Sequence, residues 1–154
     1  MPKIVILSGE NIGDWYELSD IPMVFGRDES LLAELNDCFV SFRHAKIRLD
    51  PTDNDFYIRD LQSRNGIIIN GQRVEKFKRL QDKDLIQLGY TLMTFTEEPL
   101  DEYRAVERFV ARTRRRCMPL IEQLNLKRDK LLKDLNHGTH AQNAITIQGA
   151  PSTN

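Results

Sequence analysis

The sequence has 154 residues, 40% of them hydrophobic, and a formal net charge of −1. This length fits one domain of ordinary size with an appendage, so a large multidomain enzyme is excluded. The longest apolar run, residues 4–7, is far shorter than the roughly 18 residues that cross a bilayer. The first residues also lack the pattern of a signal peptide, and two cysteines make neither a disulfide framework nor a zinc site. We therefore expect a cytoplasmic protein that is not inserted in a membrane.

Charge is distributed unevenly along the chain. Residues 1–98 contain 12 Lys and Arg against 17 Asp and Glu, a net −5, whereas residues 99–154 contain 10 against 6, a net +4. The change falls at Pro99, where strand-forming residues give way to Arg, Glu, Leu and Lys. These shifts predict a globular unit over residues 1–98 and a separate extension after it.

The first unit is a series of short strands separated by turns. Asn65-Gly66 and Asn70-Gly71 are strong hairpin signals, because these residue types tolerate the positive φ that tight turns need. Closely and regularly spaced short strands predict an all-β, antiparallel sandwich. The predicted strands are Lys3–Leu7, Asp14–Leu18, Met23–Phe25, Ala45–Leu49, Phe56–Asp60, Ile67–Ile69, Leu85–Leu88 and Thr91–Thr96.

Residues 99–136 form a predicted amphipathic, Arg-rich helical extension. Pro119 lies inside it and is expected to kink or split the helix, and His137-Gly138 is expected to stop it. Residues 137–154 contain no Lys, Arg, Asp or Glu, and we expect a disordered tail. The helical extension has an apolar seam with steps of three and four residues, consisting of Tyr103, Val106, Val110, Thr113, Cys117, Leu120 and Leu124.

Four separated motifs in the sandwich carry the candidate chemistry. They are Gly26-Arg27-Asp28, Ser41-Phe42-Arg43-His44, Ser63-Arg64-Asn65-Gly66 and Asn70-Gly71. In this order and spacing they resemble the forkhead-associated (FHA) domain, a β-sandwich that reads phosphothreonine, over a region from about Lys3 to Thr96. The resemblance implies a signalling or adaptor module. Its partner would be a protein that carries a phosphothreonine, to which a Ser/Thr kinase has added the phosphate.

The residue types suit a phosphate ligand. A phosphate monoester carries about −1.5 to −2 charge and three strong acceptor oxygens. Guanidinium groups stay ionised and present several donors, and a hydroxyl or a backbone N–H can serve the remaining oxygens. Arg27, Ser41, Arg43 and Arg64 place these groups on predicted loops at one end of the sandwich.

The resemblance also implies particular roles. Arg27 and Ser41 would contact the phosphate, Asn65 would hold the peptide backbone, and Arg43 and Arg64 would lie near the phosphate. Phe42 stands where the family often has a polar or basic residue, so one phosphate contact would be absent or made by backbone alone. The expected structural residues are Gly26, His44, Gly66, Asn70 and Gly71.

Other functions find less support in the sequence. There is no Gly-x-Ser-x-Gly elbow and no Gly-rich loop with Lys-Ser or Lys-Thr, so we expect neither an enzyme nor a cofactor or metal site. The Arg-rich stretch 104–116 lacks interleaved aromatics and a helix-turn-helix pattern, which argues against nucleic acid. The alternative is a structural assembly protein with a non-binding sandwich, whose residues 100–135 drive self-association. Docking of the helix on its own sandwich also stays open.

Overall fold

The computed structural model describes residues 1–146, with side chains through residue 136. Within this part of the chain, short strands form two facing sheets and one long helix follows them. This architecture confirms the predicted antiparallel β-sandwich with a C-terminal helical extension. The elements are β1 (Lys3–Ile6), β2 (Trp15–Glu17), β3 (Met23–Gly26), β4 (Ala33–Glu34), β5 (Ala45–Asp50), β6 (Asp55–Asp60), β7 (Ile67–Ile69), β8 (Gln72–Arg73), β9 (Phe77–Arg79), β10 (Leu85–Leu88), β11 (Thr91–Thr96) and α1 (Tyr103–Thr146).

The two sheets have six and five strands. The first has the order β2-β1-β11-β10-β7-β8, and the second has the order β4-β3-β5-β6-β9. The strand pairs are antiparallel apart from β3 and β4, which pair in parallel over two residues. The chain crosses between sheets where β6 is followed by β7, and this crossing brings the loop of residues 61–66 to one end of the sandwich.

The main core lies between the sheets. Ile4 and Ile6 of β1 point into it together with Phe25, Ile47 and Ile58 from the second sheet, and all five side chains are fully buried. Because successive strand residues point to opposite faces, the alternation of buried and less buried positions in β5 and β6 follows from their sequences.

Two expectations about turns have different outcomes. Asn70 and Gly71, with φ of 50° and 82°, form the predicted two-residue hairpin turn between β7 and β8. The hairpin predicted at Asn65-Gly66 is wrong, because this segment joins strands of different sheets. Asn65 and Gly66 lie in the longer loop that connects β6 with β7, and of these two residues only Gly66 has a positive φ.

Helix α1 covers the outer face of the six-stranded sheet. A second apolar cluster there joins Val5, Leu7 and Leu92 of the sheet to helix residues that include Phe109 and Ile121. The apolar run of β1 is thereby explained, since both of its faces are buried. The helix docks on its own sandwich, which was one of the two arrangements left open by the sequence.

The expectations about the extension have different outcomes. The helix passes through Pro119 without splitting. Pro119 has no N–H to donate to the carbonyl of Arg115. Both residues are exposed, so this missing helix bond lies on the solvent side of the helix. The predicted seam is largely confirmed, because Val106 and Leu124 are buried against the sheet. The buried face is wider than the seam, since it also contains Phe109 and Ile121, and Tyr103 lies outside it with 70% of its surface exposed.

The predicted stop at His137-Gly138 is wrong, because the helix continues to Thr146. The predicted disordered tail therefore begins with ten helical residues. The rest of that prediction, for residues 147–154, lies outside the described residues. Among the described residues, no helix combines the length and the low polarity that crossing a membrane requires.

Candidate functional site

Three loops meet at one end of the sandwich. They are residues 27–32 after β3, residues 35–44 before β5, and residues 61–66 between β6 and β7. The first two are joined by backbone hydrogen bonds, with the N–H of Arg27 donating to the carbonyl of Ser41 at 3.0 Å. The second and third are joined where the N–H of Leu61 donates to the carbonyl of His44 at 2.9 Å.

His44 is buried at the centre of the three loops. Its Nδ1 accepts the backbone N–H of Ser41 at 2.9 Å, so the ring proton must be on Nε2, which donates to the carbonyl of Gly66 at 2.7 Å. Burial lowers the pKa of His44, although the bond to Gly66 and the charges of Asp60 and Asp37 oppose this shift. The neutral ring thus connects the Ser41 loop with the Gly66 loop.

Gly26 allows the first two loops to approach each other. A Cβ at this position would lie 2.0 Å from the carbonyl oxygen of Phe42, a distance that no side chain tolerates. The absence of a side chain therefore lets β3 and the Ser41 loop run in direct contact.

Arg27 extends from this contact towards solvent. Its Nε donates to the carbonyl of Val40 at 3.0 Å, and its guanidinium lies 5.1 Å from the centre of the Phe42 ring. Within residues 1–136, neither of its terminal nitrogens has a hydrogen-bond or carboxylate partner. The side chain is therefore oriented while its four terminal N–H donors stay available.

Ser41 supplies a second kind of hydrogen-bond donor, its hydroxyl group. Its Oγ accepts the backbone N–H of Arg64 at 2.9 Å, which leaves the hydroxyl proton free to donate. This bond also brings Arg64 beside Ser41. The side chain of Arg64 is exposed, and no carboxylate in the described part of the chain pairs with it. Arg27, Ser41 and Arg64 thus supply unused donors around one open surface.

Asn65 lies on the same surface. Its Nδ2 donates to the carbonyl of Phe39 at 2.7 Å, leaving one N–H and the side-chain oxygen available. The loop that carries Asn65 is held by Ser63, whose Oγ accepts the N–H of Gly66 at 2.9 Å and donates to Asp60.

The remaining predicted residues lie at different distances from this surface. Phe42 is exposed and stacks with Arg27, while Arg43 forms an ion pair with Asp28 at 3.7 Å. Asn70 lies after β7, where its amide donates to Asp84 at 2.9 Å, and Gly71 continues the hairpin turn. Asn70 and Gly71 therefore brace the following hairpin and are not part of the loop cluster.

Sequence reasoning did not anticipate the contribution of the helix. The part of α1 after Leu124 passes beside the loops and forms one wall of a cleft of about 780 Å³. Arg27 and Phe39 belong to the opposite wall, and Asn125 and Arg128 belong to the helical wall. No motif could indicate this, because the position of Arg128 depends on how the helix docks on the sheet.

Comparison with known proteins agrees with this geometry. Residues 23–89 match the model of the FHA domain. The protein FhaB of Mycolicibacterium smegmatis is 28% identical over 91 residues, which make up 59% of this chain and 57% of FhaB. The chain thus spans a little over half the length of such curated relatives.

Solved structures extend the comparison to the fold. The FHA domain of the protein CT664 from Chlamydia trachomatis is 31% identical, with a TM-score of 0.59, and the match covers 63% of this chain and 97% of that domain. A structure from an analysis of phosphothreonine-dependent FHA domain interactions is 29% identical, with a TM-score of 0.56, and the match covers 64% of this chain and 98% of that one. The loop motifs lie inside the matched region, and residues 23–89 therefore form an FHA domain within this chain.

Proposed function

We propose that this protein is a phosphothreonine-binding adaptor that docks on a partner phosphorylated by a Ser/Thr kinase. In this proposal, Arg27 and Ser41 hold the phosphate, Arg64 and Arg43 add positive charge beside it, and Asn65 bonds the peptide backbone. Phe42 contributes by stacking under the guanidinium of Arg27. A solved relative comes from work on phosphothreonine-dependent interactions of FHA domains, which supports the proposed ligand.

The observation that carries the proposal is the state of the donors of Arg27 and Ser41. Arg27 is fixed by the bond from Nε to the carbonyl of Val40, and Ser41 is fixed by the bond it accepts from Arg64. Both residues keep hydrogen-bond donors that no carboxylate among the described residues accepts. Donors held in place before binding lose little conformational entropy when an anion arrives.

The same geometry argues for a binding module rather than an enzyme. A nucleophilic serine needs a general base within hydrogen-bond reach of its hydroxyl. His44 instead contacts the backbone nitrogen of Ser41, and the Oγ of Ser41 accepts the N–H of Arg64. Ser41 is thus arranged to donate to a ligand, and no side chain among residues 1–136 accepts its hydroxyl proton as a base would.

The cellular location follows from the ligand. A kinase that uses ATP would produce the phosphothreonine, and Cys38 is an exposed free thiol, as suits a reducing compartment. We therefore place this function in the cytoplasm. The assembly function is less well supported, because the apolar face of the helix around Phe109 and Ile121 is occupied by its own sandwich.

The test is a titration of the full chain with matched phosphorylated and unphosphorylated threonine peptides. Hydrogen bonds to charged groups contribute about 1.5–3 kcal/mol each, so Arg27→Ala should weaken binding of the phosphorylated peptide by roughly tenfold or more. Arg108→Ala, an exposed arginine on α1, is the matched control and should bind as the wild type does. Equal affinity of the wild type for the two peptides would refute the proposal.

A further inference from the structure

The cleft between helix α1 and the loops is continuous with the proposed phosphate position. Arg27 lines the cleft, and Cys38 and Phe39 form the wall next to it. Successive residues of an extended peptide advance by about 3.3 Å. A peptide whose phosphate lies on Arg27 therefore places neighbouring residues in or over this cleft, within reach of the helix.

The helical wall presents two polar groups with unused bonding capacity. The Oδ1 of Asn125 is buried and has no hydrogen-bond partner among the described residues. The guanidinium of Arg128 donates from Nε and Nη2 to one carboxylate oxygen of Asp129, its neighbour in sequence. Since arginine has five N–H donors, three of those on Arg128 remain available.

Three carboxylates, Glu10, Asp37 and Asp129, also line the cleft, so the case for an anionic ligand depends on Arg128 itself. Asp37, on the loop wall, already accepts bonds from the N–H groups of Phe39 and Tyr90 and from the hydroxyl of Thr91. Asp129 is 65% exposed and well hydrated, whereas the side chain of Arg128 is only 27% exposed. A partly desolvated guanidinium gains more from a second carboxylate than a solvated one does.

We propose that α1 completes the ligand site, with Arg128 forming an ion pair with an acidic residue that flanks the phosphothreonine. The inference rests on the proposed function and extends it to the sequence preference of the site. The appended helix would thereby select among phosphorylated partners, because Arg128 belongs to the extension and not to the sandwich.

The test uses the full chain and a phosphothreonine peptide whose flanking residues are all alanine. Single glutamates, and separately single lysines, replace alanine at each of the four positions on either side, and affinities are measured by fluorescence anisotropy. At one position or two adjacent positions, glutamate should strengthen binding about three- to tenfold, as partly buried ion pairs do, and lysine should not.

Three variants test whether this preference comes from the helix. Arg128→Gln should abolish the glutamate preference, measured as the ratio of the affinities for the glutamate-containing and the all-alanine peptide. Arg108→Gln removes the same charge from an exposed position twenty residues earlier, about 30 Å along the helix, and should keep the preference. Asp129→Asn releases Arg128 from its neighbour and should increase the preference.

The outcomes separate this inference from the proposed function. If the all-alanine peptide binds only when phosphorylated but glutamate strengthens binding at no position, the inference is wrong and the proposed function stands. If Arg128→Gln weakens all peptides equally, Arg128 acts on the phosphate and the inference is also wrong. If phosphorylated and unphosphorylated all-alanine peptides bind equally, both proposals are refuted.

Discussion

The Nδ1 atom of His44 accepts the backbone N–H of Ser41 at 2.9 Å, and this bond can exist only while the ring is neutral. Protonation would place an N–H at Nδ1 against the N–H of Ser41. The ring therefore links the ionisation of a buried group to the position of a residue at the proposed phosphate site.

The free energy of unfolding should consequently depend on His44. Burial lowers the pKa of His44, so the unfolded chain takes up the proton first as the pH falls. The contribution of the neutral ring is complete above about pH 6.5, the value for an exposed histidine, and is lost progressively below it. Urea denaturation at pH 7.5, 6.5 and 5.5 measures this loss.

Comparison with the His44→Gln variant separates the effect of the imidazole on the pH dependence of stability from that of the carboxylates, which titrate in both proteins. The variant should be less stable than the wild type at pH 7.5, and the difference should narrow as the pH falls to 5.5. A constant difference between the two proteins across this range would show that His44 does not titrate in this way.

Gly26 should be intolerant of any side chain. Gly26→Ala sets a Cβ 2.0 Å from the carbonyl oxygen of Phe42, and because this neighbour is backbone, the loops must separate. We expect a loss of about 3 kcal/mol or more in the free energy of unfolding, together with weaker binding of the phosphorylated peptide. Denaturation and titration of the same preparation measure both effects.

Gly71→Ala provides the comparison for Gly26→Ala. Its φ of 82° is strained for alanine, but nothing lies within 4 Å of the added Cβ. It should cost about 1–2 kcal/mol and leave peptide binding unchanged. If the two variants were equally stable, or if Gly26→Ala bound normally, the close approach at Gly26 would not hold the loops.

Most of the strands could be predicted from the sequence, whereas β4, β8 and β9 could not. Ile67–Ile69, Leu85–Leu88 and Thr91–Thr96 were predicted at their observed bounds, because apolar and β-branched residues make up most of them. The strands Gln72–Arg73 and Phe77–Arg79 were missed, since all their residues are exposed and show no alternation. Pairing with a neighbouring strand, which local sequence does not encode, defines these strands.

The candidate site was likewise predictable from the sequence only in part. Side chains such as Arg27 and Ser41 are visible in the motifs, whereas the carbonyls of Phe39 and Val40, which orient Asn65 and Arg27, are backbone groups and leave no signature. The position of the helix also depends on tertiary packing. The seam predicted from heptad spacing suits a narrow helical partner, but a sheet contacts a wider face of a helix.

The docking of α1 should contribute measurably to stability. Ile121 is buried against the sheet, so Ile121→Ala should lower the free energy of unfolding by about 2–5 kcal/mol. Leu126→Ala removes a similar side chain that is 71% exposed and should change stability by less than about 0.5 kcal/mol. Equal effects in urea denaturation would mean that the helix is not docked in solution.

The two cysteines should report separately on the cleft and on the docked helix. Cys38 is exposed on the cleft wall, whereas Cys117 is half-buried beside the sheet, and burial raises the pKa of its thiol. Because the thiolate is the reactive form, iodoacetamide at pH 7.5 should modify Cys38 at least about ten times faster than Cys117, as followed by mass spectrometry.

A saturating phosphothreonine peptide should slow modification of Cys38 by covering the cleft and leave Cys117 unaffected, with Cys38→Ser as the control for assignment. Protection of both thiols would indicate a general tightening of the protein, and protection of neither would mean that the peptide does not enter the cleft beside Arg128.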